Sequence, residues 1–153
     1  MVQHDHSDQR LQVLERLLRS VNDHDIEALV CCFADDYVNE TPVHPPRGFR
    51  GNGQVRRNWV QIFAAIPDVH AQLSSTAVEG NQLWTEWEMS GSNRQDGSGF
   101  LMRGVVIFGI VDNTIASARF YLEPVEQASG GVDAHMERLL GEGATLDSSG
   151  VPS

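Results

Sequence analysis

Between residues 9 and 22, Leu14, Leu17, Leu18 and Val21 recur at intervals of three and four, the spacing of one apolar stripe on an amphipathic helix. A second, shorter helix is predicted over 26–34, with Asp23 or Asp25 placed to cap it and Ile26, Leu29, Val30 and Phe33 on its buried side. Residues 37–41 alternate weakly and then meet Pro42, Pro45 and Pro46, which predicts a short edge strand followed by an ordered loop carrying His44. Gly51, Asn52 and Gly53 open a third helix, on which Val55, Trp59, Ile62, Phe63 and Ile66 keep helical spacing until Pro67.

Beyond residue 70 the apolar period shortens from that of a helix to that of a strand. A strand is predicted over 70–78, closed by the turn Glu79-Gly80-Asn81. Three segments dense in Val, Ile, Phe, Tyr and Trp follow between Trp84 and Pro124, separated by a Gly-rich loop and an Asp112-Asn113 turn, which predicts an antiparallel meander. From Phe100 to Val111 both alternating faces are largely apolar, so this strand needs cover on two sides, one of them a further layer such as a partner subunit. A last short helix is predicted over 132–140, with Val132, Met136, Leu139 and Leu140 on one face, placed to lie over a pocket mouth. Three helices with a strand before the third, then four strands and a terminal helix, predict an α+β two-layer fold in one cup-shaped domain over 9–141. Residues 1–8 and 142–153 are expected to be disordered tails.

Strand alternation divides the candidate residues between two faces. A type I turn with Asn113 left-handed would carry a bulge and set Met102, Gly104, Val106 and Phe108 beside Ala118, Phe120 and Leu122. That face is wholly apolar and is assigned to the interior. Arg103, Val105 and Ile107 then share the outer face with Arg119, Tyr121 and Glu123, and this face is the expected homodimer contact. In 84–89 the carboxylates Glu86 and Glu88 are expensive to bury, so Thr85, Trp87 and Met89 point inward. The expected pocket therefore holds Trp87, Met89, Met102, Val106, Phe108 and Phe120. Trp59 and Phe63 are added as an aromatic platform, and Asn39 and Thr41 as polar groups from the edge strand.

Composition narrows the chemistry. The 153 residues suffice for one domain burying about 70% of its unfolded surface. With 21 acidic against 11 basic residues the net charge is -10, which repels phosphate backbones and anionic membranes, so neither nucleic acid nor membrane is an expected partner. Every basic residue is an arginine, which excludes a Schiff base on a lysine amine. No run approaches the ~20 apolar residues of a membrane span, and a cytoplasmic location is expected. Cys31 and Cys32 are adjacent on the predicted helix and diverge by about 100°, so they read as reduced core thiols. His4 and His6 lie at the chain end and His24, His70 and His135 are scattered, with no ligand spacing, so no metal and no cofactor is expected.

Three residues remain as candidate acid-base groups. Histidine is the side chain whose unperturbed pKa, about 6.5, suits acid-base work, and His44 either serves in a site or bonds within its loop. Glu123 is either a general acid-base group or half of an outer-face ion pair with Arg103 or Arg119. Tyr121 is likewise either an acid-base group or a structural side chain of the outer face.

The stretches FADDYVNETPVHPPRGFRG, NWVQIFAAIPD, LWTEWEMSG and RGVVIFGIVDNTIASARFYLEPVE resemble the nuclear transport factor 2-like superfamily, within it the SnoaL-like branch, over roughly residues 10 to 126. The resemblance implies a cone-shaped cup in which a strongly curved antiparallel sheet packs against three helices. Double-bond-shifting relatives place their carboxylate where Thr41 stands, and a threonine is no base near neutral pH. Epoxide-hydrolysing relatives use a carboxylate, Arg, carboxylate set with Tyr and Asn, at positions matching Phe120, Trp87, Met89, Asn39 and Thr41 here, none of them charged. The expected function is therefore binding of a hydrophobic small molecule, steroid-like, terpenoid or polyketide. The alternatives are an isomerase or cyclase using His44, Tyr121 or Glu123, and a protein-association module.

Overall fold

A computed structural model describes residues 6–127 and 130–141 of the chain. The first apolar stripe forms α1 (His6–Asn22), which begins three residues before the expected start, inside the stretch expected to be a tail. Residues 1–5 and 142–153, also expected to be tails, lie outside the described residues. Val13, Leu14, Leu17 and Val21 of α1 are buried. Asp25 caps α2 (Ile26–Cys31), its side chain accepting from the Ala28 amide at 3.1 Å.

The second helix stops at Cys31 and does not reach residue 34. The Ile115 amide takes the Cys32 carbonyl at 2.8 Å, and Phe33 enters a strand register against Ile115, so sheet pairing overrides the apolar helical period of IEALVCCF. The strand β1 therefore runs over Phe33–Glu40 and is not an edge. It lies between the two-residue strand β2 (Phe49–Arg50) and the last strand of the sheet, β6 (Thr114–Pro124), to which it is parallel. A 3-10 turn, Pro45–Arg47, links β1 to β2, and α3 (Asn52–Ala65) follows.

The remaining strands are β3 (His70–Glu79), β4 (Gln82–Ser92) and β5 (Gly99–Val111), and the chain continues to α4 (Val132–Leu140). They complete an open six-stranded sheet of order β2-β1-β6-β5-β4-β3, with the helices added, an α+β architecture. At its β3 edge the Asn22 side chain exchanges two hydrogen bonds with the Ala71 backbone, of 2.9 and 2.7 Å, standing in for a neighbouring strand.

The β5–β6 hairpin differs from expectation in one detail that matters. Asp112 and Asn113 both have positive φ, 51° and 62°, a two-residue turn that pairs Val111 with Thr114 and carries no bulge. The extra residue sits further along, where the register shifts between Gly109 and Ile110. Val106 still faces Phe120 and Phe108 still faces Ala118, so the expected inner and outer faces are recovered by a bulge at a different place. Gly104 makes the inner row possible: at φ +155 a Cβ there would run into the Tyr121 carbonyl oxygen and Leu122 Cα.

The core gathers between α1, α3 and the inner sheet face, around Leu29, Tyr37, Leu83, Val106 and Phe108. Cys32 belongs to it, whereas Cys31 is exposed, which corrects its reading as a core thiol. Helix α4 stands clear of the cavity mouth, with Val132, Met136, Leu139 and Leu140 between 43% and 75% exposed. Gly130, at φ 134°, and the N-cap Gly131 immediately precede the helix.

Candidate functional site

A cavity of about 60 Å³ lies where α1 and α3 meet the inner face of the sheet. Of the residues expected from alternation and helical spacing, Trp59, Trp87, Met89, Val106, Phe108 and Phe120 line it. Trp87, Met89, Val106 and Phe108 are buried and form its floor, while Trp59 and Phe120 are half-buried at its mouth. The rings interlock edge to face: Phe108 lies 6.3 Å from Trp87 and 6.4 Å from Phe120, centroid to centroid.

Leu17, Val21, Phe33, Ala71 and Leu122 also line the cavity and were not among the expected residues. Most were within reach of the pattern. Leu17 and Val21 are on the buried stripe of α1, and Leu122 shares the inner face with Phe120. Phe33 was assigned to a helix that ends before it. Ala71 carries no signal of its own; it opposes Met89 across the sheet, where a small side chain leaves space.

Four expected residues lie elsewhere. Asn39, 8% exposed, accepts a hydrogen bond from the Tyr37 hydroxyl at 2.7 Å, and burial holds that phenol well above the ordinary tyrosine range. Thr41 follows the end of β1, and its carbonyl accepts from the His44 amide at 2.8 Å. Phe63 sits between Trp59, at 5.4 Å, and His24, on which it stacks at 4.8 Å. Met102 packs on the core from the far end of β5, paired with Met89 and Pro124.

The cavity wall offers no unoccupied polar side-chain group. Trp87 donates its Nε1–H to Thr85 Oγ1 at 2.7 Å, and Thr85 in turn donates to the Val106 carbonyl at 2.6 Å. Among the described residues no buried side-chain nitrogen or oxygen lacks a partner. A ligand there meets hydrocarbon, aromatic and thioether surface, with no group poised to take or give a proton.

The candidate acid-base residues are brought together in part, on the opposite side of the sheet. His44 Nε2 lies 2.9 Å from Glu123 Oε1, both side chains partly exposed. Glu123 alternates with the cavity residue Leu122, so it belongs to the outer face, and Tyr121 is exposed there too. Neither Arg103 nor Arg119 forms an ion pair with Glu123, as one reading expected; Arg103 Nε instead meets Glu88 Oε2 at 3.0 Å. On α3, Arg56 forms a two-pronged pair with Glu27 at 2.6 and 2.8 Å. Among the described residues no group of three metal-ligating side chains converges.

A model of the SnoaL-like domain family matches residues 14–118, from α1 into β6. No curated protein matches the chain in sequence. Solved structures do match in fold. A Catenulispora acidiphila protein of ketosteroid isomerase-like fold, in complex with trimethylamine, has a TM-score of 0.63 at 16% identity, over 72% of this chain and 85% of that one. A Mycobacterium tuberculosis protein in complex with estradiol-17beta-hemisuccinate has a TM-score of 0.63 at 20% identity, over 74% and 92%. The epoxide hydrolase/cyclase-like enzyme SalBIII, of pyran ring formation in the polyether salinomycin, has a TM-score of 0.67 at 18% identity, over 78% and 93%.

Proposed function

The chain belongs to the SnoaL-like domain family, and on that premise we propose that it binds an apolar small molecule in the cavity between its helices and its sheet. The observation that carries this is a wall of apolar and aromatic side chains in which the Trp87 indole N–H is already satisfied by Thr85 behind it. A ligand with buried hydroxyl or charged groups would leave them unpaired at a cost of ~1–3 kcal/mol each. The ligand is therefore hydrocarbon-like or aromatic over the part that is buried. The fold neighbours solved with trimethylamine and with an estradiol derivative lend support from proteins of the same architecture.

Size sets a further condition. An apolar cavity of roughly 150 Å³ holds a benzene, and the cavity here has about 60 Å³. A ring system enters only as the half-buried Trp59, Phe120 and Leu122 swing outward, so a single ring is favoured over a steroid-sized molecule.

The outer face of the sheet, with Trp84 40% and Tyr121 38% exposed around Val105 and Ile107, is proposed as a homodimer contact. An isomerase or cyclase reading loses its support, because none of His44, Tyr121 and Glu123 lines the cavity.

The test is a screen of one- to four-ring apolar compounds by thermal shift, with native mass spectrometry reading stoichiometry and subunit number together. A single-ring binder at 100 times its Kd is expected to stabilise the fold by ~2.7 kcal/mol. No shift with any compound would sink the binding proposal, and a monomer mass at every concentration would sink the dimer.

A further inference from the structure

The inner face of the sheet continues past the cavity. On β5 the inward row runs from Val106 through Gly104 and Met102 to Phe100, and on α3 Ile62 stands about one turn beyond Trp59 on the same side of the helix. There Phe100, Ile62, Ala65 and Ile66 give an apolar floor to an open groove of about 510 Å³, with Asn58, Gln61 and Asn93 on its rim. Of the β5 row only Gly104, which has no side chain, and the half-buried Met102 separate the cavity wall from the groove.

Hydrogen bonds fix the orientation of the rim amides. Arg57 donates twice to Gln54 Oε1, at 3.2 and 2.8 Å, so Gln54 turns its Nε2 toward Asn58 Oδ1, at 2.7 Å. The Gln95 backbone amide, which can only donate, meets Asn93 Oδ1 at 2.9 Å. Both rim asparagines therefore have an oxygen engaged and an NH2 group left to donate. Arg94 stands beside the same rim, its amide held by the Ala65 carbonyl at 2.8 Å, and among the described residues its guanidinium forms no ion pair. The nearest carboxylates in the chain, Asp68 and Asp96, are held by Ser92 and Ser98 and do not line the groove. The rim is thus rich in donors, with a cation at its side.

We infer that the ligand is a carboxylic acid carried on an apolar arm, its ring in the cavity and its carboxylate at the groove rim, where Asn58 and Asn93 donate and Arg94 supplies the positive charge. This seating requires the cavity to take a ring, and it adds what the cavity wall lacks, a set of groups that recognises charge. Met89 on the wall and Asn93 on the rim are four residues apart, roughly 13 Å along a strand, which asks for an arm of several methylenes.

The test titrates the full chain with ω-phenylalkanoates of increasing arm length, with alkylbenzenes of the same length and with the matching ω-phenylalkylamines, read by calorimetry. Acid affinity is expected to rise with arm length until the carboxylate reaches the rim, and there to exceed that of the alkylbenzene about tenfold. Asn58→Asp and Asn93→Asp keep the oxygens to which Gln54 and Gln95 donate, and both side chains are only half-buried, so the variants fold. Each is expected to weaken the acid about tenfold, to leave the alkylbenzene unchanged and to favour the amine. Arg94→Gln should weaken the acid less, since Arg94 is exposed and its charge is screened. Alkylbenzenes that bind while acids of every length bind no tighter would overturn the inference and leave the cavity binding intact. Acid affinity that ignores arm length, or that survives both asparagine substitutions, would overturn it as well. Binding by none of the three series would remove the cavity binding and the inference together.

Discussion

The two faces of β5 and β6 are made of alternate residues of the same strands and have opposite chemistry. Inward, Val106, Phe108, Ala118 and Phe120 join Trp87 and Met89 in an interlocked apolar layer. Outward, Arg103 pairs with Glu88, Glu123 pairs with His44, and Trp84 and Tyr121 stay partly open to water. Ionisable side chains are common on one face and absent from the other, although each outward residue has an inward neighbour one position away. Acid-base groups abound in this chain, then, but the pleat directs them away from the cavity. The inner face should be sensitive to volume and to buried polarity, and the outer face tolerant of both.

Phe108→Ala breaks that contrast hardest. The ring is 2% exposed and sits between Trp87 and Phe120, so its removal is expected to destabilise the fold by ~3–5 kcal/mol. Tyr121→Ala on the outer face is expected to change the stability of a single subunit by no more than ~0.5 kcal/mol. Urea unfolding of the two variants measures the difference directly. Phe108→Ala should also take larger apolar probes than the wild type, and equal losses in the two variants would mean that the faces do not differ as described.

Alkaline pH sharpens the same contrast through a buried hydroxyl. Burial raises the Tyr37 phenol, so the folded chain keeps a proton that an unfolded tyrosine releases near pH ~10. The stability from this group is complete below that pH and falls as pH rises through it, by up to ~1.4 kcal/mol per unit. Burial also raises the Cys32 thiol, with the same sign and an earlier onset. Unfolding free energies between neutral and strongly alkaline pH are expected to decline in the wild type and more shallowly in Tyr37→Phe. Parallel declines would remove Tyr37 as the source.

Much of this division was legible in the sequence because it depends on period alone. The two carboxylates of WTEWEM forced Trp87 and Met89 inward, and the apolar run 100–111 signalled the central strand β5. Elements set by partners distant in the chain were harder to read. Phe33 continues the helical pattern of α2 perfectly well, and only its register with Ile115 draws it into a strand. The hairpin's extra residue was placed at Asn113, where turn chemistry pointed, yet the structure puts it at the Gly109–Ile110 step, where a glycine inside the strand was the only signal. The pairing of Glu123 with His44, and not with an arginine of a neighbouring strand, depends on how β1 lies parallel to β6 and so carries the His44 loop to that end of the sheet. Cavity size was beyond reach for a related reason: it is a small difference between large packed volumes.

The smallest effect is expected at that pair. His44 and Glu123 approach to 2.9 Å, but their side chains are 33% and 42% exposed, and water screens such contacts. A double-mutant cycle of His44→Gln and Glu123→Gln should therefore give a coupling of only ~0.2–1 kcal/mol. Each single variant should leave the affinity of any cavity ligand unchanged, since neither side chain lines the wall. A loss of ligand affinity in either variant would show that the outer face communicates with the cavity, and the sheet would then have to transmit through its strands what its pleat keeps apart. Unchanged affinity together with weak coupling would leave the pair as a local tie between the loop after β1 and the end of β6, holding the rim of the fold and taking no part in what the interior binds.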